Sequence, residues 1–198
     1  MLVLRYSPAS PYARKVLIAA AILGLSDRIA TQTVDFADPS DSIRTQNPLG
    51  KIPTLVLEDG STLFDSRVIA EYFGYLAGGG KLFPADAGRR FAALRLQALG
   101  DGICDAALLL RFEETTRPAE KRSDDWVSLQ RGKVERGLAA LEAEPPAGET
   151  DIGHIAAATA LGYLDLRFAG AWREKYPRLV TWLDDFAKAT PSFDATKV

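Results

Sequence analysis

The chain has 198 residues, of which 47% are hydrophobic and 25% are charged, so it can bury the core of one large or two small domains. Its formal net charge of −2 gives no electrostatic reason to expect a nucleic-acid partner or an anionic membrane surface. A single cysteine, Cys104, excludes an intrachain disulfide, and with a single histidine, His154, we expect no metal site.

The first 77 residues predict alternating strands and helices. Short apolar runs bounded by turn residues indicate strands, whereas apolar residues three and four positions apart indicate helices. In chain order the predicted elements are a strand at 2–6, a helix at 11–23, a strand at 29–35, a short helix or turn at 40–46, strands at 54–57 and 62–64, and a helix at 66–77. This order, βαβαββα, predicts a small sheet packed against helices.

A break in predicted secondary structure follows residue 77. Gly78 begins a run of three glycines that ends the helix, and Pro84 disfavours the start of a new helix directly after it. We therefore assign residues 1–78 to a first domain, 79–87 to a linker and 88–198 to a second domain. The second domain has helical periodicity throughout. Its predicted helices lie before and after a loop at 115–125, between 152 and 171, and around 179–186, where Pro191 is expected to end the last one.

Ser10 stands directly before the helix predicted at 11–23. Pro11 suits the first helical position, because its missing N–H would have no partner there. A helix N-terminus favours negative charge, so the hydroxyl of Ser10 is well placed to hold an anion. The alternative is that Ser10 serves only as an N-cap, a position at which serine is preferred.

Two later segments also place distinctive residues at the starts of elements. The Ile52–Pro53 bond precedes a predicted strand, and a proline there leaves the neighbouring backbone free for a ligand. The Asp65–Ser66 pair begins a predicted helix, where it can hold a carboxylate and an ammonium group or act only as a cap.

Three motifs in this order carry a family resemblance. They are Ser-Pro-x-Ser-Pro-Tyr-x-Arg-Lys at 7–15, Asn-Pro-x-Gly-Lys-Ile-Pro at 47–53 and Asp-Ser-x-x-Ile-x-x-Tyr at 65–72. Over nearly its whole length the chain resembles the cytosolic glutathione S-transferase superfamily, and residues 98–106 with Arg117–Pro118 resemble a bacterial Ser-type subgroup similar to the tau and omega classes. The resemblance implies an α/β, thioredoxin-like N-terminal domain followed by an all-helical C-terminal glutathione-transferase domain.

The resemblance also implies glutathione as co-substrate, without a metal. The positions that match the family's glutathione-binding residues are Ser10, Lys51, Ile52, Pro53, Asp65 and Ser66. Ser10 would be the catalytic residue, because its hydroxyl can donate a hydrogen bond to the glutathione thiolate.

The other matching residues would hold the tripeptide along its length. Asp65 would meet the ammonium of the γ-glutamyl group and Ser66 its carboxylate. Ile52 would pair with the middle of glutathione through its backbone, which requires a cis bond before Pro53. Lys51 would reach the glycine carboxylate, although a solvated lysine is an equally ordinary interpretation.

A small apolar electrophile is expected between the two domains. Its candidate contacts are Tyr12, Arg14, Cys104, Leu108, Phe112 and Arg117. For Tyr12 and Arg14, packing or pairing with an acid is at least as good an explanation, and Cys104 fits a small buried apolar residue better than a reactive thiol. Relatives with cysteine near position 10 exchange thiols through a mixed disulfide, so Ser10 favours conjugation instead.

One departure from the family pattern concerns the helix predicted from residue 152. Relatives commonly begin it with Ser or Thr followed three residues later by Asp, which forms a capping box. Here Asp151 takes the cap and His154 the later position. Because a neutral imidazole poorly replaces the carboxylate that bonds back to the cap, we expect a weakened box, and a structural rather than catalytic His154.

Two functions of different kinds therefore remain. The favoured one is a glutathione transferase, a cytoplasmic homodimer active in detoxification, that adds the glutathione thiolate to an apolar electrophile. The alternative is a glutathione-transferase-like binding or interaction module without turnover, since a fold does not determine a function. An inert module has no physical need for all of the glutathione-binding positions together, so their presence favours the enzyme. They are Ser10, Lys51, Ile52–Pro53, Asp65 and Ser66.

Overall fold

A computed structural model describes residues 1–198 of the protein. It has a four-stranded sheet and eight α-helices. The predicted combination of a thioredoxin-like α/β unit and a helical unit is confirmed.

The sheet lies in the first third of the chain, with strand order β2-β1-β3-β4. Strand β1 pairs in parallel with β2 and antiparallel with β3, which in turn pairs antiparallel with β4. The strands are β1 (Leu2–Tyr6), β2 (Ile29–Thr33), β3 (Thr54–Val56) and β4 (Thr62–Leu63). The parallel pair needs a crossover, which α1 supplies, whereas the antiparallel pair β3–β4 closes through a tight turn.

Three helices accompany the sheet: α1 (Pro11–Ile22), α2 (Ile43–Gln46) and α3 (Ser66–Leu76). Both α1 and α3 pack buried apolar side chains against the strands, and the resulting small core includes Leu4, Val16, Leu55, Ile69 and Phe73. The helical spacing of Ile69 and Phe73 therefore marks the buried face, as the sequence predicted.

Helix α3 ends at Leu76 and the next helix begins at Ala87. The three consecutive glycines from Gly78 all have positive φ, which explains why the helix stops there. The proposed linker at 79–87 falls in this connection, and its exact limits as a domain boundary stay a prediction.

The remaining helices form a bundle. They are α4 (Ala87–Thr116), α5 (Asp124–Ala143), α6 (Ile152–Phe168), α7 (Pro177–Ala189) and α8 (Pro191–Ala195). Helix α6 is apolar on nearly all sides and lies at the centre, as its sequence predicted: residues Ile152 to Leu161 are all buried.

Helix α4 approaches α6 very closely at Gly100. A Cβ atom at this position would lie 2.6 Å from the carbonyl carbon of Ala156, well inside any normal contact. The absence of a side chain at Gly100 therefore allows the two helices to pack backbone against backbone.

Two expectations about helix ends need correction. The helix around 179–186 does stop just before Pro191, since α7 ends at Ala189, but it is not the final helix, because Pro191 begins the short helix α8. Proline suits this first position for the same reason that Pro11 suits α1, since the missing N–H has no partner at a helix start.

The cap of α6 is also formed, contrary to expectation. The Asp151 carboxylate accepts hydrogen bonds from the backbone of Gly153 (2.8 Å) and His154 (3.1 Å). The His154 ring closes the box, with Nδ1 2.8 Å from Asp151 Oδ1 and 3.4 Å from the Asp151 backbone nitrogen. Both halves of the capping box are therefore present, with the same imidazole nitrogen facing the carboxylate and the backbone N–H of Asp151.

None of the helices is both long enough and apolar enough to cross a membrane.

Candidate functional site

Ser10 caps the N-terminus of α1, directly after β1. Its backbone is extended (φ −81°, ψ 119°), and its Oγ accepts a hydrogen bond of 3.2 Å from the Ala13 backbone nitrogen. Because Oγ is used as an acceptor, its O–H remains available as a donor. The hydroxyl therefore combines one donor with the positive end of a twelve-residue helix.

The Asp65–Ser66 pair begins α3. The Asp65 carboxylate accepts a hydrogen bond of 2.9 Å from the Arg67 backbone nitrogen, so it caps the helix and remains exposed. Ser66 is only 2% exposed, and its hydroxyl has no hydrogen-bond partner within the protein. The pair thus presents a carboxylate beside an unused hydroxyl at a helix start.

The Ile52–Pro53 peptide bond is cis, as the family resemblance implied. The backbone N–H and C=O of Ile52 make no hydrogen bond within the protein, and its side chain is half-buried. A backbone donor and acceptor free on one residue are what an extended peptide needs for strand-like pairing. Lys51 lies next to them with an exposed side chain.

Two buried polar side chains, not identified from the sequence, fix the segment that carries Ile52. Arg5 on β1 is 2% exposed, and its guanidinium donates hydrogen bonds of 2.7 Å each to Ser42, Gln46 and Asp41 around α2. Asn47, also buried, donates to the Lys51 carbonyl at 3.0 Å. The segment that carries Ile52 is therefore anchored by a side chain of the sheet and by a side chain of its own turn.

A second network missed from the sequence joins α1, α3 and α4. The Lys15 ammonium is completely buried and lies 2.6 and 2.8 Å from the two carboxylate oxygens of Asp101. Arg67, next to Ser66, reaches the same carboxylate from the other side at 2.8 Å. The hydrogen bond to Asp101 raises the pKa of the Arg67 guanidinium.

Tyr12 and Cys104, two candidates for electrophile contacts, take structural positions. The Tyr12 hydroxyl donates a short hydrogen bond to Asp105 on α4, and burial together with this bond raises the pKa of the hydroxyl. Cys104 is 2% exposed in the main core, and burial raises the pKa of its thiol. Its position matches the interpretation as a small buried apolar residue.

Arg14 lies one turn after Ser10 on α1. Its guanidinium donates to the carbonyl oxygen of Phe193 (2.6 Å) and to the Thr196 hydroxyl (3.3 Å), and it stacks 4.0 Å above the Phe193 ring. No carboxylate lies within salt-bridge distance of it. Pairing with an acid, one of the two structural explanations for Arg14, is therefore not what the structure shows.

The other three candidates lie along α4 and its end. Leu108 is half-buried, whereas Phe112 is 48% exposed. Arg117 forms a salt bridge of 3.0 Å with the buried carboxylate of Glu113, one turn earlier. These residues do not line the cleft that contains Ser10, so their role as electrophile contacts stays a prediction.

The cleft that contains Ser10 has a volume of about 620 Å³, and neither Tyr12 nor Asp105 lines it. Its walls are the segment from Pro8 to Pro11, the last turns of α6, and parts of α7 and α8. Arg14 is the one predicted electrophile contact that lines it. This wall could not be predicted from the sequence, because its residues lie in helices far apart along the chain.

The arrangement can bind and activate an anion, not a metal. No group of three or more His, Cys, Asp or Glu side chains is placed to hold a metal ion. His154 lies at the start of α6, occupied with Asp151, so Ser10 has no imidazole base to turn it into a nucleophile. The chemistry available to Ser10 is hydrogen-bond donation to a negatively charged atom.

Comparison with known proteins shows consistent similarities. Residues 9–75 match the sequence model of the glutathione S-transferase N-terminal domain, and residues 124–185 match that of the glutathione S-transferase C-terminal domain. The uncharacterized GST-like protein YibF of Escherichia coli (strain K12) is 34% identical over 197 residues, which cover 93% of this chain and 96% of that protein.

Two crystal structures of a glutathione transferase family member from Pseudomonas fluorescens Pf-5 are similar along the whole chain. One, with bound glutathione, has a TM-score of 0.93 at 41% identity and covers 100% of this chain and 98% of that one. The other, with bound S-(propanoic acid)-glutathione, has a TM-score of 0.89 at 41% identity, and the match covers 100% of this chain and 99% of that one.

Proposed function

Because the chain belongs to the cytosolic glutathione S-transferase superfamily, we propose that it binds reduced glutathione as the thiolate and transfers that sulfur to an electrophile. The observation that carries this proposal is the position of Ser10. Its hydroxyl has a free O–H at the positive end of α1, and a cleft of about 620 Å³ adjoins it.

The energy required of this site is modest. A free thiol has a pKa near 8.5, so lowering it by about two units requires roughly 2.7 kcal/mol. A hydrogen bond to a charged group contributes about 1.5–3 kcal/mol, and a helix N-terminus about 0.3–1 kcal/mol. Ser10 and the start of α1 together supply about the stabilisation that a thiolate at neutral pH needs.

The rest of glutathione would lie along residues that the fold leaves free to bind it. Ser66, with its unused hydroxyl, would hold the γ-glutamyl carboxylate, and exposed Asp65 the ammonium. The free backbone N–H and C=O of Ile52 would pair with the cysteinyl residue. Pro53 would lie beside this pairing, and Lys51 would reach the glycine carboxylate.

In the reaction the thiol proton passes to solvent when glutathione binds. The thiolate then forms a bond to carbon, and the electron pair of the breaking bond leaves with the departing group or, for an activated alkene, is protonated by water. Ser10 holds the negative charge before the attack and is not itself modified. The thioether of glutathione bound to the Pseudomonas relative supports this outcome for a related site.

Two features of assembly and location follow from family membership as proposals. Val68 and Tyr75 on α3 and Phe91 on α4 are 46%, 78% and 69% exposed, and the Arg90–Glu71 ion pair joins the two helices beside them. We propose that these three exposed apolar side chains contact a second copy of the chain in a two-fold homodimer. We also propose that the protein is cytoplasmic and serves detoxification. Sedimentation over a concentration series tests the dimer.

The function is tested by titrating the protein with reduced glutathione in a calorimeter and then following thiolate absorbance near 240 nm against pH in the same sample. Binding with a lowered thiol pKa supports the transferase. Binding without that change leaves a glutathione-binding module without turnover, which is the alternative function. No binding contradicts both the ligand and the enzyme.

Ser10→Ala is the decisive variant. We expect it to raise the pKa of the bound thiol by about one to two units, the loss of one hydrogen bond to a charge, with little change in glutathione affinity. Ser7→Ala is the matched control, because Ser7 lies in the same loop but does not cap the helix. Identical thiol titrations for Ser10→Ala and the unaltered protein would show that the assigned role is wrong.

A further inference from the structure

The cleft beside Ser10 contains charges that the proposed reaction has not yet used. Three cations line it, Arg14, Arg173 and Lys197, together with the carboxylates of Asp165, Asp184 and Asp194. These six groups are not equivalent, since they differ in burial and in pairing.

One pair is already satisfied. Arg173 binds both carboxylate oxygens of Asp165 at 2.9 and 2.6 Å, and Asp165 also accepts from the Trp172 indole at 2.9 Å. These two charges neutralise each other within a closed network. They therefore offer little net attraction to a ligand in the cleft.

Asp184, Asp194 and Lys197 lie at the outer rim. All three side chains belong to exposed residues, and none forms a salt bridge. Water screens charges in such positions, and of the three only Asp194 has an effect on the Arg14 guanidinium, through space rather than through a salt bridge.

Arg14 is different because it is buried and has no charged partner. The residue is 9% exposed, and its hydrogen bonds go to a carbonyl and a hydroxyl of the C-terminal segment through Nη2 and Nε. Its remaining nitrogen, Nη1, has no hydrogen-bond partner in the protein. Burial lowers the pKa of the guanidinium to about 10, with Asp194 and Asp165 opposing that effect, so Arg14 is still a cation at neutral pH.

Arg14 also lies at the right place relative to the sulfur. Ser10 caps α1, Arg14 lies near the start of that helix, and both residues line the same cleft. The guanidinium has room beside α6 because residue 162 is glycine: a Cβ atom there would lie 2.4 Å from Nη1. A ligand group that extends from a sulfur at Ser10 into this cleft would therefore meet a buried guanidinium that forms no salt bridge.

We propose that the electrophile of this enzyme carries a carboxylate a few bonds from its reacting carbon, and that Arg14 is the residue that selects it. The proposal rests on the transferase function and narrows its substrate from apolar electrophiles in general to short anionic ones. Without Arg14, a carboxylate so close to the glutathione thiolate would be repelled. A buried, unpaired guanidinium turns this repulsion into attraction.

Iodoacetate and iodoacetamide form a matched pair of probes. With either compound the thiolate forms a bond to the methylene carbon, the carbon–iodine bond breaks, and iodide leaves with the electron pair. The two differ only in a carboxylate against a neutral amide of similar size. Cys104 is buried, so the protein has no exposed thiol to compete with glutathione.

The measurement is kcat/KM for each compound at saturating glutathione, divided by the rate constant without protein. We expect the normalised value to be about tenfold or more higher for iodoacetate, the effect of one charge-assisted hydrogen bond. In Arg14→Gln this preference should vanish, and in Arg14→Lys part of it should remain. Arg136→Gln removes one exposed cation on α5, outside the cleft, and should keep the preference.

The results separate the two levels of the argument. If the protein turns over iodoacetamide without preferring iodoacetate, the transferase is supported and the selection of anions is wrong. If the protein neither binds glutathione nor turns over either compound, the proposed function itself fails. An equal loss of the iodoacetate preference in Lys197→Gln would assign the selection to the rim and overturn the role of Arg14. If Arg14→Gln does not fold, the preference of the unaltered protein for iodoacetate over iodoacetamide still decides whether the site selects anions.

Discussion

The buried ion pair between Lys15 and Asp101 gives the sharpest prediction about stability. Both residues are at most 4% exposed, and the ammonium has no other acceptor within the protein. In Asp101→Asn the shape is kept but the charge is lost, so the Lys15 ammonium is left buried without a counter-charge. Breaking a buried pair in this way costs about 3–5 kcal/mol.

For a chain of this size, about 3 kcal/mol corresponds to a fall of roughly 6–12 °C in the melting temperature. Lys15→Met should cost less than Asp101→Asn, because the carboxylate then keeps its bond to Arg67, which is half exposed. The double variant Lys15→Met/Asp101→Leu removes both buried charges together, and we expect its stability to return towards that of the unaltered protein.

The assay is urea unfolding followed by circular dichroism, with melting temperatures as a second readout. Asp185→Asn is the control: Asp185 pairs with Lys188 at 2.9 Å, but both side chains are more than 60% exposed. Its loss should change stability far less than the loss of the buried pair, because water screens an exposed ion pair. If Asp101→Asn is no more destabilising than Asp185→Asn, or if the double variant is no more stable than Asp101→Asn, the reasoning from burial is wrong.

Two further predictions concern helix N-termini. Ser66→Ala should weaken glutathione binding about tenfold but change the melting temperature little, because the Ser66 hydroxyl has no hydrogen-bond partner within the protein. Calorimetric titration measures the dissociation constant, and a thermal melt of the same variant measures its stability. An unchanged dissociation constant would contradict the role assigned to Ser66. Asp151→Ala should destabilise the protein by about 1 kcal/mol at pH 7 through loss of the α6 cap. Burial would raise the pKa of the Asp151 carboxyl, but the hydrogen bonds from His154 and its neighbours hold it below its usual range. The stabilisation by the ionised Asp151 carboxylate is therefore present above the pKa of the unfolded state and is lost as the pH falls through the lower pKa of the folded state. The difference in unfolding free energy between Asp151→Ala and the unaltered protein, measured by urea unfolding, should shrink below about pH 4.

Features determined by neighbours in the chain could be predicted from the sequence. The caps at Ser10 and Asp65 depend on residues two or three positions away, and the central position of α6 follows from its own apolar composition. The cap formed by Asp151 and His154 is also local. It was misjudged because a neutral imidazole was expected to replace the usual carboxylate poorly, whereas the His154 ring nitrogen lies close to both the backbone nitrogen and the carboxylate of Asp151.

Features that depend on distant residues could not be predicted. Lys15 and Asp101 are 86 positions apart, and Arg14 meets Phe193 across 179 positions. A lysine or arginine on a predicted helix gives no sign of which acid or carbonyl it will reach. The cleft beside Ser10 could not be predicted for the same reason. Its far wall is formed by helices that are distant in sequence and come together only when the helical bundle packs.

The close approach of α4 and α6 at Gly100 has a consequence for attempts to change what the protein accepts. Even a methyl group there would collide with the Ala156 backbone, so any replacement must push the two helices apart. Because the later turns of the same helix line the cleft, a shift of α6 would change several cleft contacts together. Directed evolution should therefore leave position 100 fixed and randomise positions such as Leu166 and Ala187, where the cleft wall can change residue by residue.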